Sequence, residues 1–187
     1  MSITELAPAK LNLTLDVGAR RPDGYHEITS VMQSAALYDV VTLETVETDG
    51  IVVECPGTDL PTGPDNLAWK AADVFFQETN IPCTGIIIRL EKKIPSQAGL
   101  GGGSSDAAAV LRGMRRLFSI NVSDEALETM AARVGSDVPY CVRGGTALAR
   151  GRGERLTALS PLPMCWFVIV KPPVAPVSYT HLTLPTN

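Results

Sequence analysis

Gly85-Ile-Ile-Ile-Arg-Leu90 runs through a short turn into four glycines within five positions, Gly99, Gly101, Gly102 and Gly103. From there the chain passes straight into Ser104-Ser-Asp-Ala-Ala-Ala-Val-Leu111. An apolar run of strand length, a glycine loop and an apolar run with helical period describe a strand–loop–helix unit. Glycine reaches positive φ and lets backbone approach a ligand with no Cβ in the way. The first turn of a helix leaves N–H groups without intrahelical partners and carries partial positive charge, so this unit is suited to an anion. Ser104 or Ser105 is the expected N-cap. A flexible glycine linker is the competing reading, but linkers do not join an apolar strand directly to a capped helix. Two common nucleotide loops are excluded: no Gly-Lys-Ser/Thr follows the four-residue gap of a P-loop, and serine stands at position 104 where a dinucleotide fingerprint needs its third glycine.

The chain of 187 residues is slightly long for one domain and short for two, and 45% hydrophobic content suffices for a sizeable core. A net charge of −4 argues against a nucleic-acid partner and for a small-molecule ligand met by a local positive site. Cys55, Cys83, Cys141 and Cys165 have no short ligand spacing and read as free thiols of a reducing compartment. Met1 to Leu6 has no signal-peptide pattern, and the longest apolar run, Met164–Val170, is too short to span a bilayer. A soluble cytoplasmic protein with no membrane partner is expected, its oligomeric state open.

Elsewhere the chain alternates between strand and helix signals. From Lys10, residues Leu11, Leu13, Leu15 and Val17 are expected on one face of a strand, with Lys10, Asn12 and Thr14 on the other. Arg20 to Gly24 is turn chemistry, and Tyr25 and His26 leave it together, able to stack on and hydrogen-bond a flat heterocycle. Residues 38–46 and 50–55 read as two strands of a hairpin around Asp49-Gly50. A helix follows Pro64-Asp-Asn66 and ends before Asn80-Ile-Pro82. Another is capped by Ser123 and ends at Gly135. Asp137 falls in the next tight loop, where capping local N–H groups is the ordinary role for a carboxylate. A short strand is expected within 143–153, and Trp166–Val170 reads as a last apolar strand.

The pattern Pro95-x-x-x-Gly-Leu-Gly-x-x-Ser-Ser-x-Ala-Ala108 resembles the phosphate loop of the GHMP kinases, with one or two extra residues in the glycine run. Ala7-Pro-Ala-Lys-Leu-Asn-Leu13, Arg21-Pro-Asp-Gly-Tyr-His-Glu27 and Gly135-Ser-Asp-Val-Pro139 resemble, in the same order, members of that family acting on a diphosphocytidyl-linked polyol of the non-mevalonate isoprenoid pathway. The resemblance implies an α/β (α+β) fold, a ribosomal-protein-like ββαβ unit with a mixed sheet. It implies an ATP- and Mg²⁺-dependent kinase that phosphorylates the 2-hydroxyl of its cytidylyl substrate. Lys10 and Asp137 match the family's catalytic pair. Pro95, Ser96, Gln97, Ala98, Gly99, Leu100, Gly101, Gly102, Gly103, Ser104 and Ser105 match its ATP loop, with Ser104 or Ser105 toward Mg²⁺. Tyr25 and His26 match the cytosine-recognising positions, and Asn12 a substrate contact beside Lys10. Alternatives are another GHMP small-molecule kinase, of mevalonate or homoserine type, and a nucleotide-binding fragment without activity. The resemblance covers residues 1–173 as an N-terminal domain and implies a second domain beyond Pro172-Pro173. Here Val177-Ser178 instead runs into Tyr-Thr-His-Leu-Thr-Leu-Pro-Thr-Asn187. Residues 174–187 are therefore expected to be a loose tail of truncated or foreign sequence.

Overall fold

The computed structural model describes residues 1–83 and 85–171. Its backbone is a mixed six-stranded sheet with helices packed against it. The elements are β1 (Ser2–Arg20), β2 (His26–Val46), β3 (Ile51–Glu54), α1 (Leu67–Thr79), β4 (Gly85–Glu91), α2 (Gly102–Leu117), α3 (Asp124–Val134), α4 (Val138–Arg143), β5 (Thr146–Gly151) and β6 (Arg155–Ala158).

The axis of the sheet is β2, 21 residues long and antiparallel to β1 from Ser2↔Glu44 to Arg20↔His26. Its other edge is shared: residues 40–46 pair with β4 and residues 28–33 with β5. The hairpin expected between 38–46 and 50–55 does not form. β3 instead lies parallel to β4 at Ile51↔Ile86, and β4 sits between β3 and β2. The apolar Ile86, Ile88 and Leu90 side chains win the central place, fully buried, while Val52 of β3 stays exposed at the edge. The helix expected after Pro64 is α1, capped by Asn66, whose side chain accepts from Ala68 N at 2.8 Å.

The core lies where Val41, Leu43, Ile86 and Ile88 of the sheet meet Phe75 of α1, Leu111 and Met114 of α2 and Leu127 of α3. Fully burying each such side chain contributes about 1.5–3 kcal/mol. Small residues bring α2 close to the sheet: Ala107, Ala108 and Ala109 are fully buried, and a Cβ on Gly113 would lie 2.4 Å from Leu43 Cδ1. Phe76 and Phe118 close the far end in an edge-to-face contact at 5.6 Å.

Two further expectations are corrected, at residues 166–170 and in β1, and the strand expected within 143–153 is β5. Residues 166–170 form no strand; Trp166 is 94% exposed, and no neighbouring strand among the described residues offers its backbone a ladder. The segment after Asp137 is a helix, α4, and β6 pairs with β5 at Arg150↔Arg155, so the glycine-rich turn at 151–154 is a hairpin bend. In β1 the alternation breaks: Asn12 faces Met32 and Thr14 faces Val31, leaving Leu13 as a bulge. One extra residue inverts the facing of everything beyond it, so Leu15 and Val17 join the side of Lys10 and Asn12, lining one cavity with them. All four cysteines are free, Cys55 and Cys141 buried. The boundary expected at Pro172-Pro173 and the tail over 174–187 lie outside the described residues. Among the described residues, no helix is long and apolar enough to cross a membrane.

Candidate active site

The loop from Ile94 to Gly101 leaves β4, turns through Gln97, Gly99 and Gly101 at φ of +53°, +71° and +67°, and delivers the chain into α2. Gly101 occupies the N-cap position itself, so neither serine does, and no side chain caps the first turn. A side-chain cap would occupy the amides that an anion needs; a glycine cap leaves them open. Pro95, Ser96, Gln97, Ala98, Gly99, Leu100, Gly101, Gly102, Gly103 and Ser104 all line one cavity of about 390 Å³, joined by Asn66, Lys92 and Asp106. Ser105 does not reach it. Its side chain is fully buried and donates to Pro8 O at 2.7 Å, tying α2 to β1.

Under the loop lies a buried charge network that the sequence reading missed. Lys92 Nζ contacts the carboxylates of both Asp39 and Asp106, and Asp39 also accepts from the amides of Lys93 and Ile94, the latter at 2.8 Å. The strand before the loop and the helix after it are thereby fastened to β2. Burial pushes Asp106 up to about 7 against the pull of Lys92, with Asp39 adding to the rise. Burial alone would lower Lys92, but the two carboxylates outweigh it and hold it raised. Asp106 Oδ1 is buried without a partner. No spacing signals this triad, because its members come from three elements.

Lys10 stands at the wall between this cavity and a second one. Its backbone N–H donates to Leu100 O at 2.9 Å, and its stem packs on Gly101, where a Cβ would lie 2.6 Å from Lys10 Cγ. Its Nζ donates to Asn12 Oδ1 at 2.8 Å and pairs with Asp137 Oδ2 at 3.1 Å. Asn12 in turn donates to Ser30 Oγ, and Ser30 to Thr14 O, so the amide is oriented from below by a fully buried hydroxyl. Asp137 makes no capping bond to α4; the ordinary local role expected from spacing is replaced by the lysine. Arg112 of α2 ties together the helix and the strand that carry this pair, donating to Cys141 O of α4 at 2.8 Å and Leu6 O of β1 at 2.9 Å.

The second cavity, of about 410 Å³, holds Lys10, Asn12 and Asp137 at one place and Tyr25, His26 and Arg152 at another, with Leu15, Val17, Ile28 and Met32 as apolar wall. Tyr25 is half exposed, and the Arg152 guanidinium lies 4.8 Å from its ring centroid. His26 Nδ1 lies 3.0 Å from Gly18 O. A carbonyl only accepts, so Nδ1 carries the proton and Nε2 is left as an acceptor. Glu27 accepts from Arg21, Arg155 and Gly151 N, which fastens the turn before Tyr25 to the turn carrying Arg152. Every residue expected at the site lines one of the two cavities except Ser105. Ser30, Asn66, Lys92, Asp106 and Arg152 are the additions.

Comparison with known proteins follows the same lines. Residues 66–145 match the model of the GHMP kinases N terminal domain. A relative from Heliobacterium modesticaldum, a 4-diphosphocytidyl-2-C-methyl-D-erythritol kinase, is 52% identical over 169 residues, which are 90% of this chain and 53% of the relative. A crystal structure of 4-(cytidine 5'-diphospho)-2C-methyl-D-erythritol kinase superposes with a TM-score of 0.72 at 43% identity, over 86% of this chain and 56% of the other. The mevalonate kinase of Methanococcus jannaschii has the same fold, with a TM-score of 0.66 at 14% identity. The chain thus spans about half the length of the relatives it matches.

Proposed function

The chain belongs to the GHMP kinases, and from that premise we propose that it carries the nucleotide-binding and catalytic half of an ATP-dependent kinase acting on 4-diphosphocytidyl-2-C-methyl-D-erythritol. The observation that carries this reading is the Lys10–Asp137 pair, set between an open helix N-terminus on one side and the Tyr25–His26 cavity on the other. A donor phosphate and a flat base with an attached hydroxyl can then meet at one carboxylate. The mevalonate- and homoserine-type alternatives share only the fold, at 14% and 22% identity. We infer further that residues 1–173 act as one N-terminal domain.

The open amides at the start of α2 hold the donor's phosphates, with the positive end of the helix toward them. Tyr25 stacks on the cytosine, and His26 Nε2, an acceptor in this tautomer, takes a hydrogen bond from its amino group. Asp137 orients the acceptor hydroxyl and takes its proton as the oxygen attacks the terminal phosphorus. Lys10 holds the Asp137 carboxylate in place through their ion pair and offsets charge on the transferring group. Asn12, held by Ser30, keeps the ammonium aimed. Phosphoryl transfer demands mainly positioning and charge stabilisation, which these groups supply. Ser104 is the hydroxyl on the cavity wall suited to Mg²⁺, with the partnerless Asp106 oxygen two residues further along α2 on the same cavity; when bound, the ion would neutralise phosphate charge.

The test is phosphorylation of this substrate by the chain and by a version completed with the C-terminal part of the Heliobacterium relative. The completed protein should turn over the cytidylyl substrate and ignore mevalonate; the reverse preference would sink the assignment. Asp137→Asn should abolish nearly all turnover while nucleotide still binds, and wild-type turnover in that variant would remove Asp137 from catalysis.

A further inference from the structure

The second cavity contains two cationic side chains on its wall, Lys10 and Arg152. Lys10 is committed to Asp137 and Asn12. The carboxylates on the rim around Arg152 are committed as well: Asp23 to Arg21, and Glu27 to Arg21 and Arg155. Glu154, in the same turn, accepts from the Arg152 backbone N–H. Among the described residues no carboxylate lies within ion-pair distance of the Arg152 guanidinium, which rests on the Tyr25 ring with its donors free. The turn that carries it is stiffly placed, since Gly151 N and Arg155 both bond Glu27 at the foot of Tyr25.

We propose that Arg152 is the residue that binds the diphosphate of the cytidylyl substrate. The inference rests on the assignment of Tyr25 and His26 to the base and of Asp137 to the acceptor hydroxyl. With those two ends placed, the diphosphate of a nucleoside-diphosphate-linked polyol lies between them, beside the uncommitted guanidinium. Arginine presents a planar fork of donors that matches phosphate oxygens in pairs, and the contact with the Tyr25 ring face leaves those donors uncommitted. The side chain then reads the charge next to the base, while Tyr25 itself takes the stacking. Discrimination between a cytidine diphosphate and an uncharged cytidine would reside here.

Calorimetric titration of the chain with CDP and with cytidine tests this. Wild type should bind CDP more tightly than cytidine, by a margin that shrinks as salt rises. Arg152→Gln should weaken CDP roughly tenfold, the size of one charge-assisted hydrogen bond, and leave cytidine unchanged; Arg152→Lys should recover part of the loss. A thermal midpoint equal to wild type in both variants verifies the fold. Equal weakening of CDP and cytidine would mean that Arg152 serves only the ring, and no weakening of either would remove it from the site; both results overturn the proposal while the substrate assignment stands. If wild type binds neither ligand, the assignment itself fails and the proposal with it.

Discussion

Gly101→Ala couples the phosphate loop to the catalytic lysine, and its cost can be worked from the structure. Gly101 sits at φ +67°, where an L side chain costs about 1–2 kcal/mol. Its added Cβ would also lie 2.6 Å from Lys10 Cγ and 3.2 Å from Cε, well inside carbon–carbon contact. Cγ is near the root of the lysine, so the side chain cannot give way at its tip; it must change rotamer and abandon Asp137 and Asn12. Overpacking of this kind costs about 1–3 kcal/mol more. The sum, roughly 2–5 kcal/mol, corresponds to a fall in melting midpoint of several degrees to more than ten for a chain of this size. Gly99 supplies the control, with φ +71° and nothing within 4 Å of its Cβ position, so Gly99→Ala should show the backbone cost alone. The decisive assay is a double-mutant cycle by urea unfolding. In a Lys10→Ala background the overlapping atoms are gone, and Gly101→Ala should then cost no more than Gly99→Ala does, giving a coupling of about 1–3 kcal/mol. A coupling near zero would refute the claim that the lysine stem and the loop share this space.

Two more outcomes follow from the same region. Asp106, ordinarily near 3.8 and raised to about 7 here, binds a proton in the folded state over a window where the unfolded chain has lost it. Its contribution therefore makes stability fall as pH rises from about 4 to about 7, by up to about 1.4 kcal/mol per pH unit, and level off above. The difference in unfolding free energy between wild type and Asp106→Asn should carry that slope; a flat difference would mean that the buried carboxyl is ionised throughout. Ser105→Ala should lower stability by about 0.5–1.5 kcal/mol through the lost bond to Pro8 O without altering the Mg²⁺ requirement of the completed enzyme. Ser104→Ala should do the opposite, and an exchange of these two phenotypes would reverse the assignment of the hydroxyls.

Much of the site was legible because its parts are local. Gly99 and Gly101 mark positive-φ backbone ahead of a helix start, although the serine expected to cap it gives way to Gly101, and Tyr25-His26 leave a turn whose residues dictate it. The helix opening at Pro64-Asp-Asn66 and the cap at Ser123 were equally readable, since a cap bonds amides two or three residues away. Features that join distant segments were not legible in this way. The pairing of β3 with β4 rather than β2 depends on which strand's side chains fill the middle of the sheet. The Leu13 bulge depends on β2 opposite it, and one residue there moved Leu15 and Val17 into the cavity. The Asp39–Lys92–Asp106 triad and the Arg152–Tyr25 contact each bring together residues that have no spacing in common. Sequence alone therefore determined the chemistry available at the loop, the turn and the helix ends, through bonds that close within a few residues. Only the tertiary structure decided which lysine meets which carboxylate and which cation stays uncommitted, because charge pairing and strand order depend on distances in space that the order of residues does not encode.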